Sequence, residues 1–368
     1  MTIVARFALQ GCPMLMGDLL ISGSQKYYSP TVLPTTDDFS RVFPRGSTYI
    51  PIGLRQKLVV VTDKLALGWA GNVDIARNIV VELMQESSIT SFSRKSLQRF
   101  FDRFSEEVWK EIGIVGFIED DIGMTAFNCE STTEFSTPIL GKVALLGSGT
   151  KGIKTFLEGF TQLPSGLDAS INVVDQSIGF GLQLSGTLLN YEIATLENLN
   201  DLFGAGYEIA TVLNQKFGKL DDITYLFWQT HIDEKGIRIS RLPARACRYA
   251  YHKDLLIIRS LKFDDKSSKN SAIEQKNFVI PPIYREPKEE EIAAITLPSL
   301  NSRYLCNYFL VPTSSNEMAI LTMLHSKERA DEKKWVTFIE TSTEVVVGVE
   351  AEFIKLVARK IGENNRLG

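Results

Sequence analysis

Apolar and polar positions divide the first half of the chain into short strands separated by two helices. Residues 3–9 (IVARFAL) predict a buried strand and residues 13–21 (PMLMGDLLI) a second, with Gln10-Gly11 as the turn between them. Residues from Gly23 to Arg55 are rich in Ser, Thr, Pro, Tyr and Asp without periodicity, and predict an extended surface loop. Residues 57–71 (KLVVVTDKLALGWAG) predict two short strands turning at Thr62-Asp63-Lys64. A helix from Asp74 to Met84 follows, with Ile75, Ile79, Val80 and Leu83 on one stripe and Asn72 or Asp74 as the cap. A second helix, Arg94 to Ile112, repeats Leu97, Phe101, Phe104, Val108 and Ile112 at helical spacing above a charged face. Residues 113–146 return to strand character, and Gly147-Ser148-Gly149 opens a helix near 151–160. Two helices set between strand pairs point to an α+β fold with α/β/β/α layering rather than simple β–α alternation.

The C-terminal third is patterned differently. Residues 246–262 predict one or two strands, Phe263 to Asn277 a charged, Ser-rich mobile loop, and Val279 to Tyr284 an extended segment. Glu286 to Glu291 is an acidic, solvated run. Residues 304–311, 317–325, 335–340 and 344–350 alternate as strands, and 351–361 forms an amphipathic helix with Phe353, Ile354, Val357 and Ile361 on its stripe. Tyr249, Tyr251, Tyr304 and Tyr308 fit cross-strand packing better than a binding pocket. The expected division is a domain over 1–243 and a smaller β-rich module over 244–368.

Composition narrows the classes. The 368 residues are 44% apolar and 23% charged, as in soluble globular proteins, and are enough for one large or two ordinary domains. A net charge of −4 gives no electrostatic reason to expect nucleic acid or an anionic membrane as partner. No apolar run reaches the roughly 18–20 residues of a spanning helix, and the N-terminus lacks signal-peptide regions, so a cytoplasmic protein is expected. Cys12, Cys129, Cys247 and Cys306 are widely separated with no CxxC, so neither a zinc site nor a disulfide framework is expected. His231, His252 and His325 are the only histidines, and none has nucleophile-elbow context. No metal or cofactor is expected.

Thr2 carries the most specific chemistry. Removal of Met1 would leave a free α-amine beside a hydroxyl, a nucleophile and its base on one residue, with the amine near its reference pKa of roughly 7.7–8.0. Asp18 follows 16 positions later in the second strand. Lys57 opens the next strand pair and Gly71 closes it, 14 residues on and just before a helix. Ser148, in Gly147-Ser148-Gly149, stands at a later strand-to-helix junction.

In this order and spacing the chain resembles a proteasome β-subunit, or one of its bacterial relatives with a C-terminal extension, within the N-terminal nucleophile (Ntn) hydrolases. The likeness covers roughly residues 2–242 and includes a late hairpin over 221–228 and 233–239. The resemblance implies a four-layer α/β/β/α sandwich, with insertions at about 24–56 and 161–205, that assembles as a homo-oligomer. It implies a threonine-type amidohydrolase or peptidase acting on a peptide or other amide. Thr2 would be the nucleophile, Lys57 would favour deprotonation nearby, and Asp18 would pair with Lys57. The Gly71 N–H would face the oxyanion, and Ser148 would relay protons beside the amine. The family's Asp, followed three residues later by Ser, aligns with Asn214 and Phe217 here. That departure favours the alternative of an inactive proteasome-like assembly or sensing subunit. A minor alternative reads Gly147-Ser148-Gly149-Thr150-Lys151-Gly152, with Asp168 downstream, as a dinucleotide fingerprint. The Pro- and Gly-containing segment before Asp168 is a poor match to the strand such a fold requires.

Overall fold

The computed structural model of the chain describes residues 2–26, 31–36, 48–129, 132–159, 172–233, 236–267, 269–312, 318–326 and 335–364. It is a strand-rich α+β protein whose contacts divide into two units: residues 1–220 with 280–289, and residues 221–279 with 290–368. The division falls at Leu220 rather than at 243, and a ten-residue stretch from within the second unit's sequence belongs to the first.

The first unit opens with β1 (Val4–Leu9) and β2 (Cys12–Asp18), then β3 (Leu20–Ser24) and β4 (Tyr49–Leu54), which pair as a small two-stranded sheet. The predicted 13–21 strand is therefore broken at Leu19, and both ends of the predicted 23–55 loop are strand. β5 (Leu58–Thr62) and β6 (Leu65–Gly71) lead into α1 (Val73–Ser87), whose N-cap Asn72 accepts hydrogen bonds from the Asp74 and Ile75 N–H groups. The expected 94–112 helix is two pieces, α2 (Arg94–Phe101) and α3 (Glu106–Glu111). Helical periodicity survives the break because Phe104, at the bend, still packs on Phe100 and Trp109.

β7 (Ile112–Asp120), β8 (Gly123–Cys129), β9 (Thr133–Thr137) and β10 (Gly141–Leu146) come next, followed by α4 (Thr150–Glu158), α5 (Val173–Thr195), α6 (Glu197–Asn200), β11 (Tyr207–Leu213) and β12 (Lys216–Lys219). One sheet runs β12-β11-β2-β1-β10-β9 and another β5-β6-β7-β8. Val4, Leu15, Leu58, Ala66, Val115, Phe117, Ala144, Ala210 and Phe217 from both sheets share one buried cluster, so the sheets pack face to face. Alternate residues of the second sheet (Val59, Leu67, Trp69, Ile114) point the other way and form a core with Ile79 and Val80 of α1 and Leu97 and Phe100 of α2. α5 lies against β11, β2 and β1. Residues 161–205 were expected to be an insertion. Residues 160–171 lie outside the described residues, but α5 is a core helix: Phe180 stacks edge-on against Phe7, and Gly181 allows close contact with Met14 and Ile209.

The second unit contains β13 (Ile223–Asp233), β14 (Gly236–Ile239), β15 (Arg245–His252), β16 (Leu255–Phe263) and β17 (Ala272–Ile280). After α7 (Glu289–Ala293) come β18 (Tyr304–Pro312), β19 (Met318–Ser326), β20 (Val336–Glu340), β21 (Val345–Val349) and α8 (Ala351–Asn364). The sheet order is β17-β16-β15-β13-β18-β19, with β14 paired to β13. The late hairpin is thus β13–β14, but it belongs to this unit's sheet, so the first unit's strands end at Lys219. The expected 263–277 loop is half strand: β17 alternates half-buried and exposed positions, the pattern of a strand with one wet face. Tyr249 and Tyr308 are buried and pack on Tyr225, as cross-strand spacing implied. Phe353, Val357 and Ile361 of α8 complete a core with Trp228 and Phe309.

Candidate active site

Two-residue turn chemistry places the first site residues. Gln10 and Gly11 both have positive φ (48° and 86°), the conformation of a type I′ hairpin turn. That turn fixes the register Leu9↔Cys12 through Val4↔Gly17, and so brings Thr2 and Ile3 beside Asp18 at the far end. Asp18 N–H donates to the Ile3 carbonyl (3.0 Å) and Ile3 N–H donates to Asp18 Oδ1 (3.0 Å). Thr2 Oγ1 donates to the same Oδ1. Gly204 N–H donates to Oδ2 (3.0 Å). Thr2 is 1% exposed and Asp18 fully buried. Burial pushes the Asp18 carboxyl above its ordinary range, while Lys57 and the donors Thr2, Ile3 and Gly204 pull it back.

Lys57 reaches the same region from the opposite sheet. Gly17 lets it pass, since a Cβ there would lie 2.9 Å from Lys57 Cβ. Its Nζ donates to the Leu20 carbonyl (3.0 Å) and lies 4.7 Å from the centre of the Trp69 ring. Burial lowers its pKa to about 8, against the opposing fields of Asp18 and Glu208. Glu208 also accepts the backbone N–H groups of Lys57 (2.7 Å) and Leu58 (3.2 Å), which fixes where the lysine leaves its strand.

On the other side of β1, the pairing Val4↔Leu146 carries Gly147 up to Thr2. Gly147 has φ +96°, and a Cβ there would sit 1.9 Å from the Thr2 carbonyl oxygen, so glycine is required. Ser148 is next in sequence, exposed, and its Oγ donates to the Asp201 carbonyl (3.4 Å) rather than to Thr2. Gly71 ends β6 at the start of α1 with φ +114°, where a Cβ would lie 2.2 Å from the Glu111 carbonyl oxygen. Among the described residues Gly71 makes no hydrogen bond to Thr2 or Asp18. Of the five predicted site residues, Thr2 and Asp18 are bonded, Lys57 faces Asp18, Ser148 stands between the two glycines that meet the Thr2 carbonyl but bonds Asp201, and Gly71 has its own steric reason to be glycine.

Asn214 and Phe217 are not at this site. Asn214 (φ 50°) and Gln215 (φ 67°) form the β11–β12 turn, and Phe217 is stacked on Phe117 in the core between the sheets. The segment that runs past Asp18 is instead 201–206. Sequence reasoning missed Gly204, Glu192 and Thr35. Glu192 is 0% exposed and accepts from Thr35 Oγ1 and from Ala205 N–H, which is 3.1 Å from each carboxyl oxygen. A signal existed, because Glu192 is the single charged residue between 176 and 195, in a stretch otherwise apolar or neutral. Two glycines of the fingerprint-like run 147–152 have local uses, Gly147 against Thr2 and Gly149 against the Phe203 ring, and Asp168 lies outside the described residues.

Among the described residues no cluster of His, Cys, Asp and Glu is placed to hold a metal ion, and no helix is long and apolar enough to cross a membrane. The chain matches no protein-family model and no curated protein.

Proposed function

We propose that the first unit is an Ntn-hydrolase sandwich and that, once Met1 is removed, Thr2 hydrolyses peptide or related amide bonds. Thr2 Oγ attacks the substrate carbonyl carbon while the free α-amine takes the hydroxyl proton. The tetrahedral intermediate then expels the leaving amine, which receives that proton, and leaves an acyl ester on Thr2. Water, deprotonated by the same amine, hydrolyses the ester and regenerates the hydroxyl. The buried Lys57 ammonium lowers the cost of negative charge near Thr2, and the Gly71 N–H is the proposed oxyanion donor, a contact typically worth about 2.7–4 kcal/mol. The observation that carries this reading is the hydrogen bond from Thr2 to fully buried Asp18, with a lysine of depressed pKa facing the same carboxylate. Face-to-face sheets, one with α1 and α2 and the other with α5 packed on it, are the layering this class calls for. Cytoplasmic location and homo-oligomeric assembly belong to the same proposal.

A non-catalytic assembly or sensing role is the second reading. With 201–206 beside the site, the family's Asp-x-x-Ser spacing falls on Asp201 and Gly204, so glycine stands where serine is expected. Intact-mass measurement separates the two, because catalysis requires a mature chain lacking one methionine. A hydroxyl-directed acylating probe then labels the wild type at Thr2 and fails to label Thr2→Ala. Retention of Met1, or equal labelling of both proteins, defeats the catalytic reading.

A further inference from the structure

Glu192 has no task in the chemistry above, yet it is tied to the site by a single dipeptide. Ala205 N–H donates to both its oxygens, and the neighbouring Gly204 N–H donates to Asp18 Oδ2. Gly204 must be glycine, since a Cβ would lie 1.9 Å from Glu192 Oε2 at φ +121°. One turn therefore spans two buried carboxyls and gives one N–H to each. The titratable groups facing Glu192 are Asp18 from β2 and Tyr207 from β11, and its remaining partner is the Thr35 hydroxyl. Lys57 acts on Asp18, and among the described residues no cation acts on Glu192.

We propose that Glu192 is a positioning residue: through the Gly204–Ala205 turn, which gives an N–H to each carboxyl, it fixes the hydrogen bond on Asp18 and makes the two side chains one coupled pair beside Thr2. The proposal rests on the reading of Thr2 as nucleophile. Two buried carboxyls with one nearby cation favour sharing one charge between them. Burial and Asp18 raise Glu192 to about 8, so it carries its proton at neutral pH. The Thr35 hydroxyl suits either state, accepting from the acid or donating to the carboxylate.

The test is carboxyl ¹³C NMR of the full chain, with Glu192→Gln and Asp18→Asn used for assignment. The Glu192 carboxyl should titrate near pH 8, and the Asp18 resonance should show a step near that pH that is smaller in Glu192→Gln, where Lys57 alone still titrates beside it. Gly204 amide exchange should stay slow in Glu192→Gln and speed up at least about tenfold in Glu192→Ala, because Gln keeps an acceptor for Ala205 and Ala does not. Where Glu192→Ala does not fold, the Glu192→Gln titration decides alone. A Glu192 titrating in the ordinary carboxyl range, or an Asp18 step unchanged in Glu192→Gln, overturns the proposal. Wild-type protein without hydrolytic activity overturns only the Thr2 reading, since the titration and exchange experiments do not depend on turnover.

Discussion

Lys57 and Glu192 are held by burial in opposite departures from their ordinary ionisation, and pH therefore acts on them in opposite directions. Glu192 is raised from 4.5 to about 8. Its contribution to stability is complete below pH 4.5 and is lost as pH rises to about 8, because over that window the folded chain holds a proton that the unfolded chain has released. Lys57 is lowered from 10.5 to about 8. Its contribution is complete above pH 10.5 and is lost as pH falls to about 8. Each slope is at most about 1.4 kcal/mol per pH unit. Urea denaturation across pH should show Glu192→Gln flattening the falling limb between 4.5 and 8, and Lys57→Met flattening the rising limb between 8 and 10.5. Unaltered limbs in these variants would contradict the burial of the two groups. Gly147 gives a steric prediction at the same scale. Gly147→Ala combines a left-handed backbone with a clash against the Thr2 carbonyl, and should cost about 2–4 kcal/mol by thermal or urea unfolding. Gly152, inside α4 with nothing within 4 Å of its absent Cβ, is the control, and its change to Ala should stabilise by about 0.5–1 kcal/mol.

Elements differ in how far their residues announced them. β1, β2, β5, β6 and α1 were legible because each carries a clean period and an explicit stop: Gln10-Gly11, the 62–64 turn, the Asn72 cap. The 94–112 helix was over-read, since apolar spacing does not register the bend at Asp102–Ser105 while Phe104 keeps its place in the core. β17 resembles a loop in sequence because a strand with one solvated face, rich in Glu, Gln, Lys and Asn, has little apolar content. α5 leaves no amphipathic signature in the sequence because it is buried on nearly every side. The same limit hid Gly204 and Glu192, whose roles depend on a turn that bonds both α5 and β2. That Thr2, Asp18 and Lys57 lie close together is what the family resemblance implied, whereas the same resemblance pointed to Asn214 and Phe217, which lie in the β11–β12 hairpin away from Thr2. Its turn has an imperfect sequence, Asn-Gln, with Gln215 at φ 67°. Gln215→Gly should stabilise the protein by about 0.5–1 kcal/mol, read as a raised urea midpoint with unchanged slope. A loss of stability would contradict the assigned turn.

For the whole molecule, the discontinuity of the first unit matters most. Gln56, immediately before Lys57, donates its Nε2 to the Ile280 carbonyl (2.6 Å) and its N–H to the Pro281 carbonyl (3.2 Å). Arg55 pairs with Glu286 (2.7 Å), and Ile283 is fully buried in the core that contains α1 and α2. Periodicity could not reveal this, because partners 224 positions apart leave no local trace. A fragment ending at residue 243 lacks the whole returning stretch. It should unfold at lower urea than a 1–289 fragment and lose the depressed Lys57 titration in lysine ¹⁵N NMR. Equal stability of the two fragments would remove the stretch from the list of supports. A nascent chain is in the same condition as the short fragment until residues 280–286 have left the ribosome. Throughout most of its own translation, therefore, the residues leading into the Lys57 strand lack the partners that hold them in the finished fold.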